Sequence, residues 1–285
     1  AFEYYEASAY AFDFYSSLES PPTTEEEALA LISSAEHRFE YAVKRRTLTL
    51  EVFPNHPALR HPLPMTRYSQ LQNDAMGAAG LGSLMPFLAV DDSSVRKELQ
   101  RIATAAPASH VKEQAEMLLD LAAEKGELLT KNASFEEGSG AAAEGWSWWV
   151  KYGTGRMART DAVAHSGKYS VVCEGMKRGG PVQTIPAKPG RYGLMCHVFA
   201  PESQHSKGTV ELSLTLRDAK GNNLMTPSTQ LPFRPGAWQV VAVVHRISEE
   251  HMKRISEILP IVIVDGFNEG EAVYFDDLRL YRLSE

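Results

Sequence analysis

The stretch Asn132-Ala-Ser-Phe-Glu-Glu-Gly138, followed by Gly145-Trp-Ser-Trp-Trp-Val150 and His165-Ser-Gly-Lys-Tyr-Ser-Val171, marks where the period of the chain changes. From there on, apolar residues alternate or run β-branched between Gly, Pro and Asn turns, the pattern of strands half-buried in a sheet. Tyr169–Cys173, Tyr192–Phe199, Val210–Leu216, Trp238–Val244, Ile261–Val264 and Ala272–Tyr281 read as strands, and Asp218-Ala-Lys-Gly-Asn222 as a hairpin turn. About eight or nine short strands without helices between them predict an antiparallel sandwich. Only Ser248–Leu259 carries helical spacing in this half, read as a short turn between strands.

Upstream the period is helical. Thr24 and Glu27 form a capping box, and Ala28, Leu31, Ile32, Ala35, Phe39, Ala42 and Val43 then follow one face, predicting a helix over 25–46. An aromatic-rich helix is expected over 2–18, stopped by Pro21 and Pro22. The proline-rich segment 53–64, with His56 and His61, reads as an ordered loop, and 65–76 as a helix ended by Gly77 and Gly80. Asp91-Asp-Ser-Ser94 opens the next helix, and Ser109 caps the last, expected to run to about Glu127. The fold class is therefore multidomain, α and β. A bundle-like α-helical domain over 1–130 precedes a β-sandwich over 131–285.

Charge divides at the same place. Residues 1–130 hold 11 Lys and Arg against 19 Asp and Glu, and residues 131–285 hold 18 against 17. A nearly neutral sandwich argues against nucleic acid, whose binding needs clustered cations. No stretch approaches the ~18 apolar residues of a membrane span, so no membrane partner is expected. The chain opens on Ala1-Phe-Glu-Tyr-Tyr5 without Met, read as excision from a longer polypeptide. Cys173 and Cys196, both in strand-like runs, are expected as small reduced core residues.

All four tryptophans lie in the second half. Flat rings suit sugars because the C–H faces of a pyranose are apolar while its hydroxyls seek polar partners at the rim. Half a ring of ~200 Å² at ~25 cal/mol/Å² contributes about 2 kcal/mol. Two or three rings predict micromolar to millimolar affinity. Along one strand Trp146 and Trp148 share a face and Trp149 takes the other, so at least one is core. Trp148, Trp149 and Tyr152 are the candidate platform; sandwich packing is the competing role for each tryptophan.

Other signals fail on context. Gly153-Thr-Gly155 matches a dinucleotide fingerprint without the helix that must follow it. No zinc-ligand spacing and no Gly-x-Ser-x-Gly elbow is present, and the formal acceptor Asn132-Ala-Ser134 coincides with a strand opening. Adjacent acids on a strand face opposite ways, so neither Glu136 with Glu137 nor Asp276 with Asp277 makes a glycosidase pair.

With Tyr274-Phe-Asp-Asp-Leu-Arg-Leu-Tyr281 near the end, these strings resemble the opening and closing strands of jelly-roll carbohydrate-binding modules, closest to the family 4, 9 and 22 type, over 132–283. The resemblance implies noncatalytic polysaccharide or oligosaccharide binding, with Trp146 and Trp238 as packing residues. It also implies a structural Ca²⁺ at the sandwich edge, held by the carboxylates of Glu136 and Asp276 and by carbonyls of Ser166 and Lys168. Six to eight hard oxygens are what calcium takes; solvated acids at strand ends are the competing reading. The chain would then be an accessory part of a secreted glycoside hydrolase-like protein, extracellular or periplasmic, with a catalytic domain preceding it. Two alternatives stay open: a glycan-processing enzyme with its cleft between the two domains, and a structural module that binds nothing.

Overall fold

Alternation along the second half resolves, in a computed structural model, into two antiparallel sheets packed face to face. The structure describes residues 22–47, 81–105, 109–202, 208–231 and 234–284, with backbone alone at 37–47 and 105. The helices expected over 2–18 and 65–76, and the loop with His56 and His61, lie outside the described residues.

The strands are β1 (Gly126–Leu128), β2 (Gly138–Ser139), β3 (Ala142–Ala143), β4 (Ser147–Tyr152), β5 (Arg156–Thr160), β6 (Ser170–Glu174), β7 (Arg178–Val182), β8 (Ile185–Pro186), β9 (Gly190–Phe199), β10 (Thr209–Arg217), β11 (Asn223–Met225), β12 (Ser228–Leu231), β13 (Gln239–Ile247), β14 (Glu257–Asp265) and β15 (Ala272–Leu283). One sheet runs β13-β9-β15-β6-β5 with β1 beside β15; the other runs β11-β10-β14-β7-β4, with β12 on β10 and β8 on β14. Between them Leu194, Cys196, Val198, Leu212, Leu214, Val262, Phe275 and Leu280 form one apolar core. Every second residue from Tyr192 to Val198 of β9 and from Val210 to Leu216 of β10 contributes, as a pleated strand requires.

The helical segments cover the outer face of the six-stranded sheet. They are α1 (Glu25–Thr47), a 3-10 turn (Leu81–Leu84) leading into α2 (Met85–Leu88), α3 (Ser94–Ala105) and α4 (His110–Ala122). The capping box forms: Glu27 N–H donates to Thr24 Oγ1, and Glu27 Oε2 accepts from Thr24 N–H. Ser93 and Ser109 cap α3 and α4 through the amides of Arg96 and Lys112. Ala28, Ile32, Leu99, Leu118 and Leu121 share one cluster with Met195, Ala242, Val244, Tyr281 and Leu283 of the sheet. Close approach fixes that contact: a Cβ on Gly193 would lie 2.8 Å from Leu121 Cδ1, and one on Gly82 2.0 Å from the Ala242 carbonyl oxygen.

One local expectation is corrected. The last helix stops at Ala122, because Glu124 takes φ +50° and Gly126 φ +152° and the chain turns into β1, whose Leu128 pairs with Tyr281. The short turn expected within 248–259 is a 3-10 turn, His251–Lys253, between β13 and β14. From Glu257 the backbone pairs with β10 without interruption to Asp265, and that ladder outweighs the local pattern.

Candidate functional site

β4 is the edge strand of the seven-stranded sheet, and it separates its two adjacent tryptophans. Trp148 packs on the core between the sheets. Trp149 points to the outer face, half-buried, and Tyr152 stands 54% exposed at the strand's end. Trp146 is core: it is 8% exposed, 5.0 Å from the Phe135 ring, and its Nε1–H donates to the Asn132 carbonyl at 3.0 Å.

Register then shows what lies beside Trp149. It pairs with Gly180 of β7; the β7–β14 register, fixed by Val182 with Ile261 and Gly179 with Val264, sets Gly180 level with Ile263, which pairs with Glu211 of β10, and Glu211 pairs with Gln230 of β12. Five strands at ~4.8 Å spacing make this row roughly 19 Å long. Gly180 places no side chain between the indole and Ile263. A parallel row holds Ser147, Val182, Ile261, Ser213 and Ser228, and at the other end Tyr152, Arg178, Asp265 and Thr209 align. The floor of this face is buried at Ser213, Thr215, Ile261 and Ile263, while Trp149, Glu211 and Gln230 are half-exposed.

Polar groups along the face are fixed. Arg178 is ion-paired with Asp265, and the Ser213 and Thr215 hydroxyls lie 3.2 Å apart. Burial pushes the Glu211 carboxyl up, against the lowering effect of its hydrogen bond with Ser228 and of the Arg178 charge. An apolar ring, a bare backbone shelf and fixed donors and acceptors can hold an uncharged polyol. Sequence reasoning missed Glu211, Arg178 and Gln230. Alternation within Val210–Leu216 does turn Glu211 outward, but nothing in it reveals that β10 lies three strands from the β4 strand of Trp149.

The residues expected to bind calcium gather around the loop between β5 and β6. Glu136 Oε1 accepts the amides of Lys168 at 2.8 Å and Tyr169 at 2.9 Å. Asp276 Oδ2 accepts those of His165 at 2.8 Å and Ser166 at 2.9 Å, and its Oδ1 accepts Asp277 N–H at 2.7 Å. Gly167, at φ +59°, is required here, since a Cβ would fall 2.4 Å from Glu136 Oε1. Ser166 and Lys168 thus turn N–H groups toward the two carboxylates. Charge is supplied by Arg159, whose Nε and Nη2 each donate at 2.6 Å, to the carbonyls of Phe135 and Glu136, with the guanidinium 3.2 Å over the Tyr169 ring. Calcium needs converging oxygens. As placed, this donor set fits it poorly.

Beside that loop Asp276 and Asp277 diverge. Burial pushes Asp276 up to about 6. Burial also acts upward on Asp277, but the His165 hydrogen bond and the Arg279 charge outweigh it and hold that carboxyl low. Trp238, expected to pack in the core, instead stands half-buried with its ring 5.4 Å from His165 and 5.5 Å from Phe199.

No family model matches the chain, and no curated protein does. Among solved structures it is similar to the CBM22-1 xylan-binding domain of Paenibacillus barcinonensis Xyn10C, at 16% identity and TM-score 0.42 over 56% of this chain and 98% of that one. A second is the carbohydrate-binding module TmCBM61 in complex with β-1,4-galactotriose, at 20% identity and TM-score 0.38 over 55% and 99%. A third is a cyclase from Fischerella sp. TAU in complex with an indolyl butanone, at 17% and 0.43 over 56% and 100%. These likenesses span about half of the chain, so function is read from the chain's own residues.

Proposed function

We propose that the chain binds saccharide without transforming it, on the outer face of the seven-stranded sheet. One observation carries this: Trp149, Gly180, Ile263, Glu211 and Gln230 stand in a single register row, an indole at one end and polar groups beyond it. The ring supplies an apolar surface for a pyranose face, and Glu211, Gln230 and Arg178 supply directed hydrogen bonds to its hydroxyls. Trp149 and Tyr152 belong to this face; Trp148 serves it indirectly by anchoring β4. The role fits an accessory module of a larger, extracellular or periplasmic polysaccharide-degrading protein, where tethering raises the local concentration of substrate. Calcium at Glu136, Ser166, Lys168 and Asp276 forms no part of this reading.

Affinity electrophoresis of the full chain against soluble β-glucan, xylan, mannan and galactan tests it. Retardation is expected on at least one polymer. Trp149→Ala removes about 2 kcal/mol, or about 30-fold in Kd. Retardation unchanged in that variant contradicts this site, and mobility unchanged on every polymer contradicts the function.

A further inference from the structure

Three side chains from separate segments meet on the outer face of the other sheet. His197 lies on β9 opposite Asp276 of β15, Asp277 follows at the irregularity in β15, and His165 comes from the loop between β5 and β6. Their ligating atoms all lie within 4.8 Å of one another. Asp277 holds φ +49°, a region that non-glycine residues seldom adopt, and its side chain is 1% exposed.

The carboxylate is held at both oxygens, by different groups. Asp277 Oδ1 accepts from Ser166 Oγ at 3.0 Å and from Arg279 Nη2 at 2.8 Å. Its Oδ2 faces both imidazoles: His165 Nδ1 at 2.8 Å and His197 Nδ1 at 3.9 Å. His197 Nδ1 is buried and has no hydrogen-bond partner among the described residues. Buried polar atoms are rarely left so, and each such atom calls for an explanation.

We infer that His165, His197 and Asp277 form a binding site for a divalent transition metal of the Zn²⁺ type. Two imidazole nitrogens and a carboxylate suit zinc, iron or nickel and not calcium or magnesium. Zinc ligands at ~2.0–2.1 Å in a tetrahedron stand about 3.3 Å apart, between the two distances observed. Ser166 and Arg279 act as outer partners that orient the carboxylate. The metal satisfies the unpaired His197 nitrogen, and its remaining position faces a cavity of about 430 Å³ lined by both histidines with Trp238, Phe87, Gln230 and Gln239.

The rings now stack, with centroids 3.7 Å apart and planes 12° apart. An imidazole binds a metal in its own plane, so parallel rings cannot share one ion and loading turns a ring. His165, 35% exposed in its loop, has the room; His197, 18% exposed on a central strand, does not. The turn moves His165 relative to Trp238 and gives a fluorescence signal.

The test is calorimetric titration of Zn²⁺ into the chelator-stripped full chain, with Co²⁺ absorption and tryptophan fluorescence alongside. One equivalent of Zn²⁺ is expected at micromolar Kd or tighter, with a Co²⁺ visible spectrum of low coordination number. His165→Ala and His197→Ala should each weaken binding at least about tenfold, while millimolar Ca²⁺ or Mg²⁺ does not compete. His165→Ala changes a loop side chain and keeps the test valid if His197→Ala misfolds. Absence of stoichiometric uptake, or Zn²⁺ affinity unchanged in His165→Ala, overturns the site.

Discussion

Replacing Arg159 with Ala removes a guanidinium that ties the opening of the sandwich to the loop between β5 and β6. Two charge-assisted hydrogen bonds of 2.6 Å are lost, each worth about 1.5–3 kcal/mol, with a ring contact of about 1 kcal/mol. Glu136 is exposed, so water recovers most of its carbonyl's loss; Phe135 is fully buried, so its carbonyl is poorly recovered. The net expectation is a loss of about 2–4 kcal/mol in urea unfolding followed by tryptophan fluorescence, for which the Phe135–Trp146 pair is a local reporter. Arg159→Lys keeps the charge without the fork and should fall between the two. Arg159 then takes the place that an ion would otherwise fill. An ion bound at micromolar would add about 4 kcal/mol at millimolar concentration, whereas 5 mM Ca²⁺, roughly that regime, should leave the wild-type midpoint in place. A loss below about 0.5 kcal/mol in Arg159→Ala, or a clear calcium-dependent rise in the wild type, would refute the argument.

Gly193→Ala places a methyl 2.8 Å from Leu121 Cδ1, so unfolding experiments should show a loss of about 1–3 kcal/mol. Combining it with Leu121→Ala should cost less than the sum of the two changes, since both act on one contact. Burial of His110 at the start of α4 lowers its pKa against the pull of Glu113 and Glu36. A depressed base contributes stability above its unfolded pKa of about 6.5 and loses it as pH falls. The urea midpoint should therefore drop between pH 7 and pH 5, roughly the window below that pKa, and the drop should shrink in His110→Asn. Cys173 and Cys196 are free and fully buried, and burial pushes both thiols up. The native chain should not react with a disulfide reagent within minutes; the unfolded chain should release both thiols.

The change of period at residue 132 made the strands legible, because alternation reports burial directly. Tyr192–Phe199 and Val210–Leu216 fall inside β9 and β10 within two residues at either end. The capping residues Thr24 and Ser109 were legible for the same local reason. Pairing between distant strands was not. Trp149 announces itself in sequence, but Gly180, Ile263, Glu211 and Gln230 join it only through ladders across β7, β14, β10 and β12. The sequence offered Glu136 and Asp276 as ion ligands, while the structure turns backbone amides toward both. That outcome depends on the path of the 163–169 loop, which no side-chain pattern encodes. Burial of the helical faces on the sheet was equally hidden, since a helix's apolar stripe does not say what covers it.

The central claim is that sugar is held at the Trp149 row, and amide and indole chemical-shift mapping during titration with an oligosaccharide of the retarding polymer tests it most directly. Shifts concentrated at the Trp149 indole N–H, Gly180, Glu211, Gln230 and Ile263, with Trp146 and Trp238 unmoved, are the predicted result. Saturable shifts elsewhere, or none across the oligosaccharides, would contradict it.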